Sequence, residues 1–256
     1  MDFNQEIEAR LGQVNENSLL RHSAAQFMQA SINAKYSYNF SWLGRPVIQY
    51  PQDIVAFQEI IWKVKPDLII ETGIAHGGSL MLSASMLALL DFFDAQKQHQ
   101  SKVDLSPKRK VLGVDIEIRK HNRDAIEAHP LNNYITMIEG SSIEKPVVDQ
   151  VKAISQEANC VLVCLDSNHS HEHVIAELDA YAPMVTDGSY CIVFDTVVEN
   201  LDESMNLEKP WSVGNNPMTA IKSWLPKHPE FVVDHEIDKK LLISVAPNGY
   251  LKKVVT

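Results

Sequence analysis

The sequence predicts an α/β fold: a mostly parallel seven-stranded sheet with helices on both faces and an antiparallel hairpin at the C-terminal end. Three observations carry this reading. From residue 52 onward, short apolar runs alternate with stretches of helical periodicity, the order that builds β-α-β units. Runs such as "DLIIETG" and "CVLVCLD" are almost unbroken in hydrophobicity, as strands covered on both faces are. Four runs end in an acid, at Glu71, Asp115, Asp166 and Asp195, on the side of the sheet where open α/β folds bind ligands.

The elements follow in order. Residues 1–35 read as amphipathic helix without a strong core run, and "YSYNFSWLGRPVIQYP" reads as irregular aromatic chain broken by prolines. Residues 1–50 are thus a helical and aromatic cap, and 51–256 the main domain, in one compact unit. "QDIVAFQEIIWKVKP" spaces Ile54, Phe57, Ile61 and Val64 at helical intervals. The strands "DLIIETG", "KVLGVDIE", "YITMIEGSS", "CVLVCLD" and "SYCIVFD" then alternate with helices over 75–93, 121–129, 145–157 and 171–185. "FVVDHEI" and "KLLISVA", divided by polar "DKK", form the closing hairpin. Two stretches stand outside the alternation: a polar connection at 94–110, and a loop at 198–217 long enough for a lid.

Composition excludes some functions. The net charge of -10 disfavours non-specific binding to nucleic acid or to an anionic membrane. The apolar helix "SLMLSASMLALLDFF" carries serines and falls short of a membrane span. Three cysteines without framework spacing, Cys160, Cys164 and Cys191, read as reduced thiols, and the polar N-terminus is no secretory signal. These features point to a cytoplasmic protein that spans no membrane and binds no nucleic acid, with a small-molecule or glycan acceptor and a homo-oligomer as the expected partners once its motifs are counted.

"ETGIAHGGSL" sets Gly73, Gly77 and Gly78 between a strand and a helix. Such glycines let backbone approach a ligand, although a tight turn without ligand would use them too. The G-x-G-x-x-G fingerprint of dinucleotide folds is missing. Glu71 facing the loop suits an ammonium or sulfonium group better than a pyrophosphate. Asp115 can accept ribose hydroxyls, or serve as a helix cap. Ser141 and Ser142 are candidates for an adenine contact or plain turn residues. With Thr72, Ser79 and Asp166 these complete the expected cofactor contacts.

Asp166 and Asp195 end adjacent strands, where paired carboxylates can hold a hard divalent cation such as Mg²⁺. In "CLDSNHSHEHV", His169 falls between strand and helix and can lean over the crevice as a general base. His171 and His173 lie further into the turn, where packing or solvent accounts for them. A 2-His-1-carboxylate metal site could be drawn from these residues, but it leaves the glycine loop unexplained. Asn168 can orient base or substrate, and Trp211 offers a flat face to a sugar or folds onto the core.

Together "WLGRPVIQYPQDIVAFQEIIWKVKPDLIIETGIAHGGS", "VLGVDIEIR", "IEGSS", "LDSNHSHEHVIAELDAYAPMVTDGSYCIVFDT" and "GYLKK" resemble class I S-adenosylmethionine-dependent methyltransferases with a Rossmann-like fold. More narrowly they resemble the cephalosporin hydroxylase-like family, which includes rhamnosyl and macrolide-sugar O-methyltransferases, over roughly residues 36–256. The resemblance implies O-methylation of a sugar hydroxyl with S-adenosylmethionine as donor and Mg²⁺ as aid. It implies a D-x-x-H motif, matched by Asp166 and His169, whose histidine is the base. It also implies Glu-Asp after the fifth strand, where this chain has Phe194-Asp195. Thr196 or Glu199 is then left to supply the third metal oxygen. A methyltransferase-like fold that binds cofactor or a partner without catalysis, and a metal-dependent oxygenase or hydrolase, are the rival readings.

Overall fold

The structure is a computed structural model and describes residues 2–98, 106–202 and 209–254. The N-terminal part holds two helices, α1 (Phe3–Glu16) and α2 (Ser18–Asn33). Asp2 opens α1 with a capping box shared with Gln5, and Asn17 both ends α1 and caps α2. A small hairpin follows, β1 (Phe40–Trp42) against β2 (Arg45–Val47), turned by Leu43 and Gly44 in left-handed backbone.

After α3 (Pro51–Val64) comes the main sheet: β3 (Leu68–Thr72), β4 (Lys110–Asp115), β5 (Ile135–Glu139), β6 (Val161–Leu165), β7 (Tyr190–Val193), β8 (Phe231–Val233) and β9 (Tyr250–Lys253). Its order is β5-β4-β3-β6-β7-β9-β8, with the first five strands parallel and β9 antiparallel to both neighbours. The chain leaves β3 toward β4 and β5, then returns to the other side of β3 as β6. That reversal makes the β3/β6 boundary the switch point, the place where such sheets open a crevice.

Alternation along the strands builds two cores. Ile69, Val111 and Leu162 face α3, α4 (Gly78–Lys97) and α5 (Lys120–Glu127). Leu68, Ile70, Leu112 and Val163 face α6 (Lys145–Ser155), α7 (His171–Tyr181) and α8 (Pro217–Trp224). Helix α4 is long and apolar enough by composition to cross a membrane, but its buried residues make it the core helix of one sheet face. It extends to Lys97, into the expected polar connection, and residues 99–105 of that connection lie outside the described residues. On the near side of it, Arg109 pairs with Asp91 and Asp94 against α4.

Two expectations need correction. "KLLISVA" is not a strand. Between β8 and β9 the chain forms α9 (His235–Leu241) and then an irregular stretch, and "GYLKK" supplies the final strand. The cause is Asp53, a buried carboxylate on α3, which accepts bonds from Ser244 Oγ (2.6 Å), Val245 N–H (3.0 Å) and Tyr250 OH (2.7 Å). These bonds hold residues 244 and 245 against the helix and leave pairing to Tyr250–Lys253. The loop at 198–217 is likewise shorter than expected, since a 3-10 turn covers Thr196–Asn200 and α8 starts at Pro217 behind an Asn216 capping box. Residues 203–208 of it lie outside the described residues.

Candidate active site

A cleft of about 830 Å³ opens at the switch point, lined by Gly73, Ser79, Asp166, His169, Asp195 and Trp211 among others. Strand β3 delivers the glycine loop to it, β6 delivers Asp166, and β7 delivers Asp195. The elements touch directly: Asp166 N–H donates to Thr72 O at 3.0 Å, and a Cβ on Gly73 would stand 2.1 Å from Asp166 O.

Asp166, His169 and Asp195 each place a ligating atom within 4.8 Å of the others. His169 is held by three neighbours. Its Nε2 lies 3.0 Å from Asp195 Oδ2, Trp211 meets its ring edge-on at 4.8 Å, and the turn that carries it is tied by Ser170 N–H donating to Asn168 Oδ1 at 2.9 Å. Asp195 itself sits in left-handed backbone at φ 55°, a conformation L-residues avoid and active sites tolerate.

The charges are unevenly settled. Burial, then the neighbouring Asp195, pushes Asp166 well above the carboxylate range. Burial works against charge on both His169 and Asp195, but their mutual attraction prevails. His169 rises to about 9, and Asp195 falls below its ordinary value. Glu71 is buried and rises to about 7, with Ser79 Oγ bonded to it as a partial offset. A cation between Asp166 and Asp195 would relieve the strain on Asp166, and carboxylate oxygens are the donors Mg²⁺ prefers. The donor set therefore fits the metal. The cleft also fits a ligand with a donor group, because Gln49 Oε1 beside Asp166 is buried without a hydrogen-bond partner.

Several other expected residues are otherwise engaged. Thr196 Oγ1 donates to Pro247 O at 2.7 Å, and Glu199 accepts from Gly214 N–H and Asn216 Nδ2 at 2.9 and 2.7 Å. Glu199 does not join the cluster of Asp166, His169 and Asp195, and the hydroxyl proton of Thr196 is engaged with Pro247 O. Asn168 Oδ1 accepts from Ser170 N–H and Oγ at 2.9 and 2.7 Å, which shapes the turn into α7 and takes that oxygen away from a substrate. Ser142 is buried, with its Oγ 3.1 Å from His173 Nε2, so it turns from the cleft, while Ser141 is half-buried. Thr72 is fully buried between strands. Gly78 is demanded by packing, since a Cβ there would reach Pro46 O at 2.2 Å, and at Gly77 it would strike Ile126.

Asp115 Oδ2 accepts from Ile74 and Ala75 N–H at 2.8 and 3.1 Å, and Oδ1 from Glu117 N–H at 3.2 Å. With Oδ2 filled by two amides, this loop shape leaves Asp115 fewer lone pairs for a ribose than a free carboxylate would offer.

His171 Nδ1 lies 2.8 Å from Thr219 Oγ1, and His173 contacts Ser142, Ser167 and buried Glu177. Among the described residues no second histidine joins the acids, so a 2-His-1-carboxylate centre is not assembled. Sequence reasoning missed Gln49, whose Nε2 donates to Asp166 Oδ2 at 3.3 Å, and Lys209, which lies over Trp211 at 5.2 Å and lowers Asp195. Gln49 precedes the Tyr-Pro that starts α3, and that entry to a helix facing the sheet was its one available signal.

Known proteins agree with this architecture. A rhamnosyl O-methyltransferase of Mycobacterium leprae is 28% identical over 216 residues, covering 82% of each chain. One from Mycobacterium tuberculosis is 26% identical over 202 residues, 78% of this chain and 72% of that one. A solved structure of CmcI with Mg and SAM superposes with a TM-score of 0.51 at 15% identity, over 85% of this chain and 78% of that one, a likeness of fold. Residues 34–254 match the family described as Rhamnosyl O-methyltransferase/CmcI. With the sheet order, the crevice and this match over most of its length, the chain belongs to the rhamnosyl O-methyltransferase/CmcI family.

Proposed function

We propose that this chain is an S-adenosylmethionine-dependent, Mg²⁺-assisted O-methyltransferase whose acceptor is a sugar hydroxyl, a rhamnosyl group first among candidates. The observation that supports it is the meeting of Asp166, His169 and Asp195 beside the glycine loop in one cleft. Family membership supports the reaction class. Unpaired cysteines agree with a cytoplasmic setting, where the methyl donor is made.

When bound, S-adenosylmethionine supplies an electrophilic methyl group, and Mg²⁺ favours loss of the acceptor's hydroxyl proton. The chain's own residues do the rest. Residues 73–79 and Asp115 receive the donor, and Glu71, held by Ser79, offers a carboxylate to its ammonium end. Asp166 and Asp195 would hold the metal. Trp211 walls the acceptor side and keeps the imidazole upright. His169 Nε2 takes the acceptor proton, for which it must be neutral. Cationic charge held on the two aspartates would pull it down from about 9. Alignment of oxygen and methyl carbon supplies most of the acceleration.

The test is methyl transfer from isotope-labelled S-adenosylmethionine to a simple rhamnoside, with and without EDTA. Labelled methyl rhamnoside, lost on chelation and restored by Mg²⁺, is the expected result. Calorimetry showing no binding of S-adenosylmethionine, with or without Mg²⁺, would overturn the reading.

A further inference from the structure

The glycine loop is an awkward piece of backbone. Three of its residues, Gly73, Ala75 and Gly77, have φ values of +92°, +47° and +82°. At Ala75 the left-handed conformation is one that a residue with a Cβ avoids, so isolated chain would relax away from it. Bonds from outside the loop must hold it.

The structure shows them, and they come from two elements not otherwise tied to the chemistry. Arg45 on β2 donates from Nε and Nη2 to His76 O at 3.0 and 2.7 Å. The same Nη2 donates to Asn122 Oδ1 at 2.8 Å, and Asn122 Nδ2 donates to Ala75 O at 2.9 Å. Asn122 belongs to α5 and is buried. Arg45 is fixed in turn because its hairpin is anchored. Trp42 Nε1 donates to Ser85 Oγ on α4 at 3.0 Å, and His129 Nε2 lies 3.1 Å from Leu43 O. The backbone at Pro46 also fills the space that a side chain at residue 78 would need.

The division of labour is clear. Arg45 and Asn122 take the carbonyls of residues 75 and 76 on the far side of the loop, while Asp115 takes the amides of residues 74 and 75. A guanidinium is suited to this task, since its planar fork can hold a carbonyl with two N–H groups and still reach a side-chain amide.

We infer that Arg45, together with Asn122, is a positioning residue for the cofactor loop, so that the N-terminal hairpin completes the site. They hold residues 74–77 in the shape that receives S-adenosylmethionine. The inference rests on the cofactor reading proposed above. Without the brace the loop must be ordered at the moment of binding, and affinity falls by that cost.

The experiment compares wild type with Arg45→Ala, Arg45→Lys and Asn122→Ala. For each, the Kd for S-adenosylmethionine is measured by calorimetry and the amide exchange of residues 74–79 by mass spectrometry. Arg45→Ala should raise Kd about tenfold and speed loop exchange about tenfold, while exchange in β3 and β6 stays slow. KM for the donor should rise with little change in kcat at saturation. Arg45→Lys should fall between, since an ammonium reaches one carbonyl but cannot make the fork. Asn122→Ala should act in the same direction. Unchanged loop exchange in Arg45→Ala would overturn the inference, as would faster exchange spread evenly over the sheet, which would make Arg45 a general stabiliser. Wild type that binds no S-adenosylmethionine would sink the cofactor reading instead, while loop exchange would still decide whether the brace exists.

Discussion

His169 and Asp195 hold each other in the charged form against the cost of burial. At 3.0 Å the pair is an ion pair, and its mutual attraction lifts the imidazole to about 9. The unfolded imidazole titrates near ~6.5, so the raised folded value stabilises the protein fully below that pH. The contribution is lost as pH rises through about 9. Unscreened, the shift would amount to about 3 kcal/mol. Asp195 is 35% exposed, so water reduces it to about 1–2 kcal/mol. Urea unfolding in EDTA should therefore show stability falling between pH 6.5 and 9, and His169→Gln should flatten that slope. An unchanged slope in the variant would assign it to other groups.

Asp115 carries a second prediction. Asp115→Ala removes the acceptor for two loop amides and, on the function proposed above, a ribose partner, and should weaken S-adenosylmethionine binding by about 1–3 kcal/mol. Equal affinity in a folded variant would remove Asp115 from the site. The strand-end acids were legible in sequence because an apolar run that stops at a carboxylate announces the sheet edge. Gln49 and the engagement of Thr196 with Pro247 were not, since these contacts join residues far apart in the chain, and Lys209 was not because only the path of its loop brings it to Asp195.

Among the elements, the parallel strands were readable because burial on both faces leaves continuous apolar runs. The C-terminal end was not. "KLLISVA" has strand composition, yet the contacts of Ser244 and Val245 with buried Asp53 decide its shape, and they span about 190 residues of sequence separation. Sterics just past β6 and at β2 demand glycine at 73 and 78 whether or not a ligand approaches them. A graded outcome follows. Gly73→Ala adds a left-handed penalty to a Cβ placed 2.1 Å from Asp166 O, and should cost more than about 3 kcal/mol in urea unfolding. Gly214→Ala has a comparable φ of +81° but open space, and should cost about 1 kcal/mol. Equal costs at both positions would mean that backbone conformation alone sets the effect.

For the molecule as a whole, the sheet order β5-β4-β3-β6-β7-β9-β8 explains why one cleft collects the glycine loop, Asp166, Asp195 and His169. Fold class was readable from alternation, and the crevice from where the strands end. The site's completion by the N-terminal hairpin was not, because nothing in "WLGRPV" shows which loop its arginine will meet. In the mechanism proposed above His169, poised over Asp166 and Asp195, takes the acceptor proton. Single-turnover methyl transfer to a rhamnoside, at saturating S-adenosylmethionine and Mg²⁺, tests it most directly. His169→Ala should slow the step by about 10²–10⁴-fold with donor affinity intact, while His171→Ala and His173→Ala stay within about tenfold of wild type. A folded His169→Ala protein that transfers methyl at the wild-type rate would show that His169 is not the base.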